Sequence, residues 1–150
     1  KVIINEECSM ADQVPIEKGL FTWPSEDPRL IGSECQDCNA VVFPAQAGCP
    51  RCAGDNTQTK ELGTRGTLWT WTVQGYPPKS PPFEGDIDNF EPFGVGYVEI
   101  YDEVKVETRL TTANPDELQI GMEMELSFIP LYKDSEGNDV ITFAFTPCEV

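Results

Sequence analysis

The chain has 150 residues, of which 39% are hydrophobic, and a formal net charge of −16 with no histidine. This length suits one ordinary domain or a small module beside a larger one. The missing imidazole excludes Ser-His and Cys-His nucleophile pairs, so we predict no catalytic residue and no autonomous enzyme. No apolar run approaches the ~18 residues of a spanning helix, and no leader-type pattern opens the chain, which predicts a cytoplasmic protein without a membrane role.

Charge is unevenly divided along the sequence. Residues 1–28 carry two cations and six acids. Residues 29–79 carry five cations and four acids, and residues 80–150 carry three cations and sixteen acids. A chain this acidic repels nucleic-acid phosphates and lacks the counterion release that drives non-specific DNA binding. An anionic ligand would therefore meet the middle segment, although each of its cations can also be a solvated surface charge. These cations are Arg29, Arg51, Lys60, Arg65 and Lys79.

Residues 1–28 are predicted to form an N-terminal arm. The apolar residues between Val14 and Trp23 favour a short amphipathic helix after Pro15 that ends before Pro24. Its apolar side either folds back on the same domain or docks on another subunit. Cys8, in the polar start of the arm, is interpreted as an incidental thiol.

Two Cys-x-x-Cys pairs, ten residues apart, organise residues 29–56: Cys35 with Cys38, and Cys49 with Cys52. Each turn brings two thiolates to two corners of a tetrahedron, which predicts a zinc ribbon holding one structural Zn²⁺ on four sulfurs. Four sulfurs leave no position for water, so the metal is expected to stabilise the fold and not to catalyse. The alternatives are two disulfides, which need an oxidising compartment, and a thioredoxin-type redox site.

Apolar residues then alternate with polar ones through residues 62–150, which predicts five strands with a short helix between the third and fourth. In the first strand, Trp69, Trp71 and Val73 are predicted to share the core face. Glycines in the second strand indicate a bulge or bend. This element order is that of an OB-fold barrel. The predicted elements are strands Gly66–Gln74, Phe93–Tyr101, Val104–Leu110, Met122–Phe128 and Val140–Phe145, with the helix at Asn114–Gly121.

The segment Pro77–Pro92 joins the first two strands with sixteen residues, more than a simple connection needs. Phe83, Ile87 and Phe90 give it apolar anchors. We expect this loop to order against a ligand or partner beside the usual OB-fold ligand face. The alternative is that the three side chains pack back on the barrel. Cys148, near the end of the chain, is interpreted as a small buried hydrophobe.

With ribbon and barrel both in place, the sequence resembles a family of zinc-ribbon plus OB-fold proteins associated with acyl-CoA metabolism. The resemblance covers nearly the whole chain. It departs from the commonest form at Asn39, where a glycine usually follows the second cysteine, but Asn also tolerates the left-handed conformation. The blocks that carry it are Leu30–Ser33, Cys35–Cys38, Val42–Pro44, Cys49–Cys52, Gly66–Val73, Gly96–Val98 and Asp116–Met122.

The resemblance implies a mainly β fold: an N-terminal helical arm (1–28), a rubredoxin-like zinc ribbon (29–56) and a five-stranded OB-fold barrel (62–150). Members are non-catalytic partners of thiolase-fold enzymes, such as benzoylsuccinyl-CoA thiolase and retro-aldolases that shorten steroid side chains. It implies a thiolase-like partner subunit in a heterotetramer of two plus two, and contact with CoA or acyl-CoA. We place that contact at Arg51, Lys60, Arg65 and Lys79.

Two other functions stay open from the sequence. An OB-fold can bind single-stranded nucleic acid by stacking bases on aromatic side chains, here Trp69, Trp71 or Tyr76. The predicted core position of both tryptophans and the acidic charge argue against that role. A stand-alone acyl-CoA carrier or sensor is the third possibility.

Overall fold

The computed structural model describes residues 13–79, 83, 85–101 and 103–149; residues 1–12 of the predicted arm, with Cys8, lie outside this range. The described residues form two sheets and one short 3-10 turn, at Pro115–Glu117. The strands are β1 (Gln13–Pro15), β2 (Ile31–Cys35), β3 (Val41–Val42), β4 (Thr57–Glu61), β5 (Arg65–Gln74), β6 (Phe93–Ile100), β7 (Val104–Leu110), β8 (Glu123–Lys133) and β9 (Asp139–Pro147).

Five strands close into a barrel in the order β5-β6-β7-β9-β8, and β8 pairs again with β5. The β6–β7 hairpin begins with Ile100 opposite Val104, as the alternation predicts. The parallel contact between β7 and β9 is short and pairs Arg109 with Ala144 and Leu110 with Phe145. The predicted five-stranded barrel is therefore confirmed, and full closure removes its free strand edges.

The barrel core consists of side chains from every barrel strand. Met124, Leu126 and Phe128 alternate inward along β8, as predicted, and Ile141 and Phe145 do so along β9. Burying each such side chain contributes about 1.5–3 kcal/mol. The residues with no measurable exposure include Leu68, Val98, Ile100, Val106, Met124 and Phe145.

The prediction that Trp69 lies on the core face of β5 is wrong. A bulge lies between Leu68 and Thr70, since Leu68 pairs with Val98 and Thr70 with Tyr97. The extra residue at the bulge reverses the alternation of inward and outward side chains along β5. Leu68 is therefore buried and Trp69 is 52% exposed, while Trp71, beyond the bulge, packs against the core.

The predicted N-terminal helix is also wrong in the described part of the arm. Gln13–Pro15 pairs in parallel with the start of β9, and the Ile16 N–H donates to the Ile141 carbonyl at 2.9 Å. Gly19 then adopts φ +84°, which interrupts any helix. Sheet pairing with a distant strand overrides the weak local helix propensity. The segment folds back on its own domain, with Phe21 buried in the core.

The predicted helix at Asn114–Gly121 is present as one 3-10 turn only. The Asn114 side chain accepts a hydrogen bond from the Asp116 N–H at 3.1 Å, as an N-cap does. Leu118 returns to an extended conformation and is buried. Burial of Leu118 against the barrel is what ends the turn early. None of the helical turns among the described residues has the length and apolar character of a membrane span.

The second sheet has the order β3-β2-β4 and carries the cysteines. It is fixed to the barrel at several points. Leu30 and Leu62 are fully buried between the two sheets, and the Leu62 N–H donates to the Leu30 carbonyl at 2.9 Å. Lys60 lies 3.3 Å from Glu34 on β2 and 3.2 Å from Glu103 at the barrel hairpin. Hydrogen bonding to Glu103 raises the pKa of Lys60.

Candidate metal centre and adjoining cavity

The first cysteine pair lies in a tight turn at the end of β2. The Cys35 N–H donates to the Ala40 carbonyl and the Asn39 N–H to the Cys35 carbonyl, both at 2.9 Å. Asn39 has φ +61°, so the left-handed conformation expected at this position is present. The Cys38 sulfur accepts a hydrogen bond from the backbone of Ala40.

The second cysteine pair repeats this turn. The Cys49 N–H donates to the Gly54 carbonyl at 2.8 Å, and the Ala53 N–H donates to the Cys49 carbonyl at 2.9 Å. Ala53 has φ +61°, the same value as its counterpart in the first turn. Two matched knuckles therefore present their sulfurs to a common centre.

The four sulfurs have the spacing of a tetrahedral zinc site. The Cys35 and Cys52 sulfurs are 3.6 Å apart, as are those of Cys38 and Cys49, and all four lie within 4.8 Å of one another. Zn–S bonds of about 2.3 Å place tetrahedral sulfurs about 3.8 Å apart. A disulfide would need about 2.05 Å, and all four cysteines are free. The residues therefore fit one zinc ion, and the sulfurs fill its shell.

Hydrogen bonds shift the pKa values of the Cys49 and Cys52 thiols in opposite directions. Backbone N–H groups of Cys52 and Arg51 donate to the Cys49 sulfur and lower its pKa to about 7. At Cys52 a hydrogen bond from Gly54 lowers the pKa, but hydrogen bonds with the other three sulfurs outweigh it and raise the pKa to about 12. Metal binding must displace such protons, so zinc affinity depends on pH.

The four cations predicted to contact CoA lie in separate settings. Lys60 lies between two glutamates, and Arg65 is 3.8 Å from Glu125. Arg51 is exposed on the second knuckle, and Lys79 is exposed at the start of the long loop. Two of the four are therefore already paired with carboxylates.

The three apolar residues of the long loop divide into two groups. Phe83 and Phe90 are half-buried, with ring centroids 6.2 Å apart, and Phe90 lies 6.0 Å from Phe93 on β6. Ile87 is 56% exposed. Packing of Phe83 and Phe90 agrees with the alternative that the loop folds back on the barrel, while Ile87 faces solvent.

A cavity of about 320 Å³ lies between this loop and the barrel, and its lining includes Phe83, Phe90, Phe93 and Arg109. The Arg109 guanidinium carbon lies 3.9 Å from the Phe93 ring centroid. Arg109 is not predictable as a site residue from the sequence, because it alternates outward in β7 like any surface charge. Its placement becomes visible only when the loop covers that face.

Two family models match adjacent parts of the chain. The model described as "ChsH2, rubredoxin-like zinc ribbon domain" matches residues 23–58, and "ChsH2, C-terminal OB-fold domain" matches residues 59–128. Together they cover residues 23–128, which include the sheet β3-β2-β4 and the barrel strands β5 to β7, and the four cysteines lie in the first match.

Similar proteins carry related names. A "DUF35 domain-containing scaffold protein" of Methanocaldococcus jannaschii is 27% identical over 77% of this chain and 78% of its own. The "Benzoylsuccinyl-CoA thiolase subunit BbsA" of Thauera aromatica is 25% identical over 79% of this chain and 76% of its own. Among solved structures, the "Ltp2-ChsH2(DUF35) aldolase" matches with a TM-score of 0.57 and 27% identity, covering 79% of this chain and 84% of that one. This chain, with its four-cysteine ribbon and closed barrel, belongs to the ChsH2-type zinc-ribbon and OB-fold family.

Proposed function

We propose that the chain is the non-catalytic zinc-ribbon subunit of a thiolase-fold acyl-CoA enzyme, in which it stabilises the catalytic subunit and assists CoA or acyl-CoA binding. The observation that carries this proposal is the complete sulfur shell in a chain without histidine. A four-sulfur zinc site stabilises a fold but offers substrate no open position. The chemistry therefore belongs to a partner.

The relatives support the identity of that partner. One is named as a thiolase subunit and another as part of an aldolase, so both thiolysis and retro-aldol cleavage suit the complex. We propose a heterotetramer with two copies of each chain. The partner would supply the cysteine and histidine chemistry that this chain lacks.

We also propose that CoA contacts this chain through its middle segment. Residues 29–79 carry five of the ten cations but only four of the 26 acids. Arg51 and Lys79 are exposed and take part in none of the ion pairs formed by the described residues, unlike Lys60 and Arg65, so they are the first candidates for the CoA phosphates.

Co-purification tests the association. The tagged chain should retain a thiolase-fold protein in equal amount when isolated from its native source, with native mass spectrometry giving two copies of each. A free monomer without a thiolase-like companion would contradict the proposal. Calorimetry of CoA binding to the complex, with Arg51→Gln and Lys79→Gln, then tests the CoA contact separately from assembly.

Single-stranded nucleic acid is the weaker alternative. Trp69 and Tyr97 do form an exposed pair, with ring centroids 6.1 Å apart, but Lys105 already lies 4.2 Å from the Trp69 ring centroid. A net charge of −16 repels a polyanion. Tight binding of single-stranded DNA at low salt, measured by fluorescence anisotropy, would overturn the subunit proposal.

A further inference from the structure

The cavity under the long loop has the construction of a small-molecule site. Its volume of about 320 Å³ is at the lower end of the ~300–1,000 Å³ usual for ligand pockets. Apolar and aromatic side chains supply most of its wall, from the loop, from the N-terminal segment and from strands β6 and β8: Ile16, Phe83, Phe90, Phe93, Leu131 and Tyr132.

One cation, Arg109, lines this wall. Arg109 is half-buried, and burial lowers the pKa of its guanidinium from the ordinary value, although Arg stays charged at neutral pH. Stacking on the Phe93 ring fixes the plane of the guanidinium. The ion pairs formed by the described residues do not include Arg109. A partly desolvated cation without a carboxylate partner favours an incoming anion.

Two of the acids near the cavity accept hydrogen bonds from neighbouring residues. Asp86 accepts hydrogen bonds from the backbone N–H groups of Asp88 and Asn89 and from the Asn89 side chain, which lower its pKa. Glu107 accepts a hydrogen bond from the Tyr97 hydroxyl at 3.4 Å. Glu91, the remaining acid of the lining, is exposed. Arg109 is therefore the cation of a lining that also carries the carboxylates of Asp86 and Glu91, and its guanidinium is the charged group that lies over the Phe93 ring.

A second cleft of about 280 Å³ adjoins the first and shares Phe93, Arg109 and Leu131 with it. It continues along the seam between β7 and β9, past Thr142 to Phe143. The two spaces together form an elongated groove with apolar side chains at both ends and Arg109 at their junction.

We infer that this groove is a binding site for small organic anions with an aromatic or alkyl body, whose charge pairs with Arg109. The body lies against Phe90 and Leu131, and the anionic group receives the two parallel N–H donors of the guanidinium. Every residue assigned to this site belongs to this chain, so the site is tested on this chain alone, separately from the proposed catalytic partner.

Two fluorescent probes that share one aromatic body test the inference on the full chain. Anilinonaphthalene sulfonate carries the anion, whereas phenylnaphthylamine does not. We expect saturable binding of the sulfonate, and Arg109→Gln should weaken it at least about tenfold, since a charge-assisted hydrogen bond is lost. The affinity of the neutral probe should change less than about twofold in the same variant. Lys105→Gln, which removes a charge of the same sign from an exposed position on the same strand β7, outside both clefts, should leave both probes unaffected.

Equal sulfonate affinity in the wild-type chain and Arg109→Gln would overturn the site, as would an equal loss of affinity in Lys105→Gln or no saturable binding at all. Circular dichroism confirms that each variant is folded. If Arg109→Gln fails to fold, the amide chemical shifts of the wild-type chain, recorded with and without the sulfonate probe, decide whether the probe binds at this site. Sulfonate-induced shifts at Phe93, Arg109 and Leu131 support the site, and shifts confined to other residues overturn it.

Discussion

Phe43 of the ribbon packs edge-on against Phe143 of the barrel, with ring centroids 5.4 Å apart and ring planes at 89°. Edge-to-face pairs are worth about 0.5–1.5 kcal/mol beyond their area burial. The pair joins the zinc-bearing sheet to the barrel in addition to the buried Leu30 and Leu62. The two sheets are therefore expected to unfold together.

Phe43→Ala should lower the free energy of unfolding by about 2 kcal/mol, because a half-buried ring and its aromatic contact are lost. Urea denaturation in the presence of excess zinc measures this free energy of unfolding. Tyr76→Ala is the matched control, since Tyr76 is 73% exposed and its loss should cost less than about 0.5 kcal/mol. Equal costs for the two variants would show that the Phe43 contact does not couple the sheets.

Cys49→Ser should abolish zinc binding and unfold residues 29–56, because the metal supplies the folding free energy of such a small sheet, about 10–16 kcal/mol in zinc-finger peptides. Metal analysis and amide spectra measure both effects. Cys148→Ser removes a thiol outside the sulfur cluster and should keep one equivalent of zinc. A full equivalent of zinc bound to the Cys49→Ser variant would contradict the assigned set of four cysteine ligands.

Ala53→Gly should tighten zinc binding several-fold. Ala53 adopts φ +61°, which costs a non-glycine residue about 1–2 kcal/mol and costs glycine almost nothing. Ala53→Val should weaken binding for the same reason, because β-branching adds to the clash. Competition with a chromophoric chelator gives the affinities. Ala45→Gly is the control, since Ala45 is not in the left-handed region; an equal gain there would refute the explanation.

The ribbon and barrel were predictable because their signals are local. Cysteine spacing and strict alternation are both readable within about twenty consecutive residues. The bulge at Trp69 was not predictable, because its position depends on β6: a Cβ at Gly96 would lie 2.6 Å from the Thr70 carbonyl oxygen. The local pattern of β5 contains no trace of this partner.

Two further differences between the predictions from the sequence and the structure have the same origin, namely contacts with distant parts of the chain. Gln13–Pro15 becomes a strand only by pairing with β9, at the far end of the chain. Arg109 enters a cavity only because the long loop packs over its strand. Alternation in β7 places its side chain outward correctly, but no local signal says what lies outside.

Gly94→Ala should destabilise the barrel by about 1–3 kcal/mol, because a Cβ there would lie 2.3 Å from the Thr112 carbonyl oxygen, a backbone atom that is hard to move. Gly75→Ala is the matched control, with nothing within 4 Å of the added Cβ. Thermal unfolding of both variants measures the difference. Equal stability of the two would show that β6 has room to shift.

Deleting residues 78–91 should leave the barrel folded but abolish binding of the sulfonate probe. Gln74 and Phe93 pair directly, so the shortened connection can still close the β5–β6 hairpin. The deletion removes Phe83 and Phe90 from the cavity wall and leaves Arg109 open to solvent. Circular dichroism and probe titration measure the two effects, and pull-down of the thiolase-fold partner measures assembly. Ile87→Ser, at an exposed position outside the cavity lining, is the control and should keep probe binding. Unchanged affinity for both probe and partner after the deletion would mean that the loop is only a connector.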